Sequence, residues 1–324
     1  MKRFTPRRIG AICLGIIAMV SPLIGQSISD LGTLEGDRFS LALDINDRGQ
    51  AVGYSGTVPL DEEEGFDHRA VLWENGRITD LGTLGGEYSR AAAINNRGQI
   101  VGQSATAADE VHAVLWEKGS IVDLGGGFSE ALDINERGDI VGVNGGRATL
   151  WRKGRIIDLG TLGGTSSVAR AINNRGMIVG ESRTVDGSTH AVLWKNGKII
   201  DLGTLEGEDS STANDINDRG EIVGSSPTMT FGRRAVLWRR GRITEIGFGE
   251  ALGINNRGEI VGVSNFPGGG FVLRPTLWYR GEITDLGTLV EGLPGFATAI
   301  NNRGSIVGRT LANLDNVHGT LWEE

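Results

Sequence analysis

Cysteine is nearly absent from this 324-residue chain: Cys13 is the only one, and it sits in the apolar stretch near the start. Beyond that stretch no thiol remains. Disulfide staples, a thiol nucleophile and Cys-ligated metal are therefore excluded, and a chain of about 300 residues buries enough surface to fold without them. A basic surplus is missing as well. The chain carries 32 basic and 40 acidic residues, and setting aside Lys2, Arg3, Arg7 and Arg8 leaves 28 against 40, a formal charge of −12. Nucleic acid is a poor partner for such a surface, because phosphate binding needs a basic patch. No segment shows helical periodicity long enough to define a helix. There is no Gly-x-Ser-x-Gly elbow and no His-Glu-x-x-His pair. "GGTSS" (Gly163 to Ser167) lacks the following Lys of a phosphate-binding loop.

The one long hydrophobic run is "IGAICLGIIAMV", Ile9 to Val20, preceded by the four basic residues and followed by "PLIGQS". This is the pattern of an export signal cleaved near Gly25 or Gln26. The run is almost long enough to span a bilayer, but Pro22 and the lack of a flanking stop-transfer charge argue against an anchor. Residues 1–26 are thus expected to be a signal peptide. Residues 27–324 are expected to form one exported domain, extracellular or periplasmic, with no stable membrane insertion. No small residue stands just before Cys13, which argues against lipidation.

Glycine is abundant: 52 residues, with 39% hydrophobic residues alongside. Disordered chains lack that much apolar material, so the combination points to a turn-rich β protein. The chain is also repetitive. Ile-Asn opens a turn motif at Ile45, Ile94, Ile134, Ile172, Ile216, Ile254 and Ile300, and Arg-Gly closes each one. All seven tryptophans, Trp73, Trp116, Trp151, Trp194, Trp238, Trp278 and Trp322, hold one equivalent place. An acidic-aliphatic-Gly element recurs from Asp30 to Asp285, with Glu245 as its sixth copy. A period of about 43 residues indicates a solenoid or a propeller.

Each unit divides into four short strands, as in "SRAAAI", "QIVGQS", "HAVLW" and "SIVDLG". Tight turns with Gly where positive φ is needed join the first strand to the second and the third to the fourth. "SISDLG" near Ser27 is a fourth strand without a first three, and "VHGTLWEE" ends on a third strand without a fourth. Joined, they complete a blade and remove the open edges of the array. The expected fold is all-β: a seven-bladed propeller of four-stranded blades, closed by pairing the N-terminal strand with the last three strands.

These motifs, "HAVLW…NG" followed by "ITDLGTLGG" and "INNRGQIVG", resemble the HAF-type extracellular repeat of secreted bacterial proteins. The resemblance covers essentially the whole chain after the signal. It implies export and repetition but no defined activity. The chain departs from the pattern where Arg replaces His before most tryptophans, and where "EIGFGE" replaces "DLGTLGG".

A residue present in every blade more plausibly builds the ring than performs chemistry. The seven tryptophans are expected to fill the gaps between sheets. Ala42, Ala91, Ala131, Ala169, Ala213, Ala251 and Ala297 are expected to let the innermost strands converge. A base stands four residues before each Trp: Arg69, His112, Arg147, His190, Arg234, Arg274 and His318. Hairpin counting sets Val71 opposite Asp80, so Arg69 is its diagonal neighbour, and a cross-strand charge pair is expected in each blade. A shared metal is not, because the histidines fall on different blades. Arg in the middle of the Asn-x-Arg-Gly turns disfavours calcium there. No metal and no cofactor is expected.

Function is expected where the copies diverge. The connections from second to third strand and from fourth to first vary, and both emerge on one face, where variable loops on a rigid scaffold carry binding. Phe39, Tyr88, Phe128 and Phe248, each three residues before the Ala, are candidates to stack on a ligand at the axial mouth. Asp44, Asp133, Asp215 and Arg170 are candidate hydrogen-bonding groups. The expected function is a secreted, non-catalytic binding module for a glycan or an extracellular protein. The alternatives are a polysaccharide hydrolase or lyase using axial carboxylates, and a self-associating envelope protein.

Overall fold

Each unit of the repeat folds as one antiparallel sheet in the order first, second, third, fourth strand, and seven such sheets stand around an axis. The computed structural model describes residues 27–57, 67–125, 127–227, 232–265 and 272–323. The expected signal, residues 1–26, lies outside the described residues, as do parts of four variable connections. Blades 1 to 6 comprise residues 39–80, 85–123, 129–158, 163–201, 212–248 and 250–285. Blade 7 takes its first three strands from residues 295–323 and its fourth from Ser27–Asp30. That strand pairs antiparallel with Val317–Glu323, setting Ile28 opposite Trp322. The ring is closed as expected, and the first strands of neighbouring blades meet around the axis, blade 7 against blade 1 included.

The turns follow from their residues. Asn75 and Gly76 both have positive φ (51° and 70°), the two-residue turn that matches the twist of a hairpin. At the inner turn, Asn46 accepts from the Gly49 N–H while its own N–H donates to the Gln50 carbonyl. The register Val71 to Asp80 is the one expected from counting.

One feature of the inner hairpin was not expected. In all seven blades the pairing slips by one residue after the conserved Ala, so that Ala42 faces Gly53 but Asp44 faces Val52. The bulge drives the first strand into the second. A methyl group on Gly53 would collide with the Leu41 carbonyl oxygen, and the glycines at 102, 142, 180, 224, 262 and 308 are equally crowded. The final Gly of "INNRGQIVG" is thus fixed by close approach, not by positive φ.

The core lies between blades. Trp116 packs with Ala91, Ile94 and Ile100 of its own blade and with Val52 and Ala70 of blade 1. Trp73 reaches Val307 of blade 7. The seven indoles are 0–5% exposed and the seven alanines fully buried.

Candidate functional site

The inner turns come together at one end of the axis and bind one another. The Asn46 side-chain N–H donates to the Asn95 carbonyl, Asn95 to Asn135, and so on to Asn301, which donates back to Asn46, all at 2.9–3.2 Å. A second ring lies beside it. The backbone N–H of each next residue donates to the side-chain oxygen of the following blade, from Asp47 through Asn96 and Glu136 back to Asp47, at 2.8–2.9 Å. An axial cavity of about 150 Å³ is lined here by Asn135, Asn173, Asn217 and Asp218 among others. Every blade contributes the same kind of group, and those groups are consumed in closing the ring.

One residue before each Ile come the axial carboxylates. Asp44 accepts from the Ile45 N–H through one oxygen and from the Ile94 N–H of blade 2 through the other, both at 2.8 Å. Asp133 links Ile134 to Ile172, and Asp215 links Ile216 to Ile254. They staple blades 1 to 2, 3 to 4 and 5 to 6. Ala93, Ala171, Gly253 and Ala299 hold the equivalent positions of the other blades. The three residues keep some surface exposure, while protein packs densely around their carboxyls. Burial therefore pushes Asp44 and Asp215 up to about 6 and Asp133 to about 8, against the pull of the donated N–H groups. Asp44 and Asp215 also repel Asp133. The three groups feel one another, yet no cluster disposed to hold a metal ion forms among the described residues. In each carboxyl both oxygens accept from backbone N–H groups, so these three expected hydrogen-bonding groups act here as staples between blades.

Nearer the variable face the first strands carry residues that do not repeat. Just before the conserved Ala stand Leu41, Arg90, Glu130, Val168, Thr212, Glu250 and Phe296, and opposite them lie Tyr54, Gln103, Val143, Glu181, Ser225, Val263 and Arg309. Here polar side chains join neighbouring blades. Arg90 pairs with Glu130 at 3.1 Å, and burial raises the Glu130 carboxyl despite Arg90 and Arg170 nearby. Arg170 pairs with Glu181 at 3.0 Å, and Glu181 also accepts from the Thr212 hydroxyl. Glu250 accepts from Asn214, Ser225 and Arg233. Of this network the sequence marks Arg170 and Asn214 as polar residues that do not repeat, Arg170 as a binding candidate. The signal for the rest was present: these positions differ from unit to unit inside otherwise invariant strands.

The four candidate aromatics do not share a position. Phe39 and Tyr88 lie in first strands and are 3% and 5% exposed. Phe39 packs edge-on against Tyr54, and Tyr88 against His68, at centroid distances of 6.2 and 4.6 Å. Their expected stacking on a ligand is corrected: both rings are spent on packing within and between blades 1 and 2. Phe128 precedes the first strand of blade 3 and is 63% exposed. Phe248 ends the fourth strand of blade 5, is 56% exposed, and lies under the Arg234 guanidinium. The cross-strand contact between base and acid forms in every blade, as an Arg–carboxylate ion pair in four, such as Arg69–Asp80 at 3.1 Å, and as a His–Asp hydrogen bond in three, such as His318–Asp30 at 2.8 Å.

A cavity of about 680 Å³ lies away from the axis between blades 5 and 6, beside the divergent "EIGFGE" strand. Scaffold residues such as Trp278, Ile254 and Ile260 form much of its wall. The axial mouth, where the variable polar groups converge, is the better candidate.

The fold is similar to that of solved propellers. Streptogramin B lyase matches with a TM-score of 0.56 and 12% identity over 94% of this chain and 99% of that one. The β-propeller domain of the Trilobed protease from Pyrococcus furiosus, described as having an open velcro topology, gives 0.53 and 14% over 88% and 96%. A Mycobacterium tuberculosis puromycin-hydrolyzing peptidase gives 0.56 and 12% over 87% of this chain, which spans about half (53%) of that peptidase. At such identities the likeness is one of fold. No protein-family model and no curated protein matches the sequence. The expectation of a non-catalytic ring is nonetheless corrected: a lyase and proteins with peptidase activity are built on this architecture, so the fold gives no ground for setting catalysis aside.

Proposed function

We propose that this protein is an exported propeller that binds a glycan at the axial mouth of its variable face. One observation carries the proposal. Inside strands that otherwise repeat, most of the residues that differ are polar or aromatic, and polar ones join across blades near the axis: Arg90 with Glu130, Arg170 with Glu181 and Thr212, and Asn214 and Arg233 with Glu250. A scaffold needs sevenfold likeness, whereas a ligand without sevenfold symmetry needs departures from it. Planar arrays of guanidinium, carboxylate and amide groups suit the many hydroxyls of a sugar. Export rests on the basic and apolar start of the chain, and the HAF-type resemblance agrees with it.

The test is thermal melting of the protein against a panel of oligosaccharides. A ligand at 100 times its dissociation constant adds about 2.7 kcal/mol, a shift of several degrees for a domain of this size. Glu250→Ala is expected to remove that shift while leaving a cooperative unliganded melt. A flat panel would overturn the glycan reading.

A further inference from the structure

The polar level at the mouth is balanced over blades 2 to 6, where Arg90, Arg170 and Arg233 each face a carboxylate, Glu130, Glu181 and Glu250 in turn. Blade 7 breaks the balance. Arg309 has no carboxylate partner among the described residues; its guanidinium lies over the Phe296 ring, 4.3 Å from the centroid. Burial holds its pKa below the usual value, and Arg90 adds repulsion. Tyr54 of blade 1 lies between them: both guanidiniums act on its hydroxyl, and Arg90 sits 5.7 Å over its ring. A protein with eight more acidic than basic residues thus holds, among the described residues, a guanidinium without a carboxylate partner, next to a second one, at the place where its blades diverge.

Arg309 is half-buried, and a cation partly withdrawn from water without a counter-ion carries a cost that a stacked ring offsets only in part. An oxyanion supplies the missing partner, and the Arg fork matches a carboxylate in bidentate geometry. We propose that blades 7, 1 and 2 form a subsite for the carboxylate of an acidic sugar, with Arg309 as its principal ligand, Arg90 adding charge and the Tyr54 hydroxyl donating. The Phe296 ring holds the Arg309 guanidinium in plane. This assignment rests on the axial mouth being a glycan site and narrows its ligand to uronate-bearing oligosaccharides. A glycan is favoured over an acidic peptide because the unpaired guanidinium is flanked by two aromatic rings and shares the mouth with amide, hydroxyl and carboxylate groups that suit sugar hydroxyls.

The experiment is calorimetric titration of the protein with an oligogalacturonate, the matching neutral galactose oligomer, a poly-glutamate peptide and inorganic sulfate. The oligogalacturonate is expected to bind at least tenfold more tightly than the neutral oligomer. Arg309→Gln is expected to remove that preference without lowering the unliganded melting temperature, since it removes a repelled charge. Arg309→Lys should retain part of the preference, keeping charge but losing the fork. Equal binding of both sugars, unaffected by Arg309→Gln, would overturn the subsite while leaving the glycan site standing. Binding of poly-glutamate alone would overturn the sugar class, and sulfate binding equal to the oligogalacturonate would reduce the site to a general anion pocket. Silence from all four would overturn both the subsite and the site on which it rests.

Discussion

At the scale of single residues, the repeat is a set of hydrogen-bond obligations, and departures from it match departures in those obligations. Ser129 illustrates one. Its hydroxyl accepts from the Ala113 N–H of the preceding blade at 2.9 Å and donates to the Gly125 carbonyl. Ser40, Ser89, Ser167 and Ser211 accept in the same way at four other junctions. Where blade 6 meets blade 7, Pro275 holds the donor's place and Gly295 the serine's. Proline has no N–H to satisfy, so the serine has no task there. Ser129→Ala is therefore expected to cost about 1–3 kcal/mol by leaving a buried N–H unpaired, read as a lower denaturation midpoint with unchanged slope. An unchanged midpoint would mean that water replaces the hydroxyl. Asp133 offers a second test. The free carboxyl has a pKa of 3.8, and in the folded ring Asp133 is raised to about 8, Asp44 and Asp215 to about 6. Between those limits the folded state binds more protons than the unfolded one, so stability falls as pH rises. Above pH 6 Asp133 carries most of that slope. Asp133→Asn, which keeps an acceptor oxygen for one N–H, is expected to flatten the melting temperature between pH 6 and 8. A slope identical to that of the parent would overturn the assignment.

At the scale of strands and turns, the first strand is the most constrained element, because its bulge presses it against the second strand and its alanines against the neighbouring blade. Ala131 is fully buried among Val101, Ile134 and Trp151. Ala131→Leu is expected to overpack this junction at a cost of about 1–3 kcal/mol, seen as a lower melting temperature; an unaltered melt would show slack that the packing does not reveal. The strands themselves were legible from sequence. Their outer turns carry Asn-Gly, Lys-Gly or Arg-Gly pairs, and counting from Asn75-Gly76 places Val71 opposite Asp80 correctly. The bulge was not legible, because its break in alternation, Leu43 and Asp44 between buried Ala42 and Ile45, falls next to the turn, where a strand's pattern ends in any case. That one-residue slip is why Asp44 turns to the backbone of the next blade. Similarly, equal spacing before the Ala suggested one role for Phe39 and Phe248. The chain between blades 5 and 6 instead extends the outer strand to Phe248, and the two rings end up far apart in burial. Arg90, Glu130, Glu181 and Arg309 were overlooked because attention to variable loops hides variation within strands.

At the scale of the whole molecule, closure converts seven weak local units into one cooperative body. Each blade's core is completed by its neighbour, so an open array would expose one apolar face at each end. The closing contact is small in sequence terms: Ser27–Asp30 against Val317–Glu323. Yet its partners belong to the core, since Trp322 opposite Ile28 is fully buried and Asp30 accepts from His318. Removing residues 27–30 would leave the Val317–Glu323 strand as a free edge beside an uncovered tryptophan. Such an edge pairs readily with another chain. A protein beginning at Leu31 is therefore expected to melt several degrees lower and to sediment as a concentration-dependent mixture, whereas the protein with Ser27–Asp30 intact shows neither effect. If the shortened protein keeps both its melting temperature and a single sedimentation coefficient, the terminal strand is dispensable, and the rings of asparagine and backbone bonds at the axis suffice to hold blade 7 against blade 1.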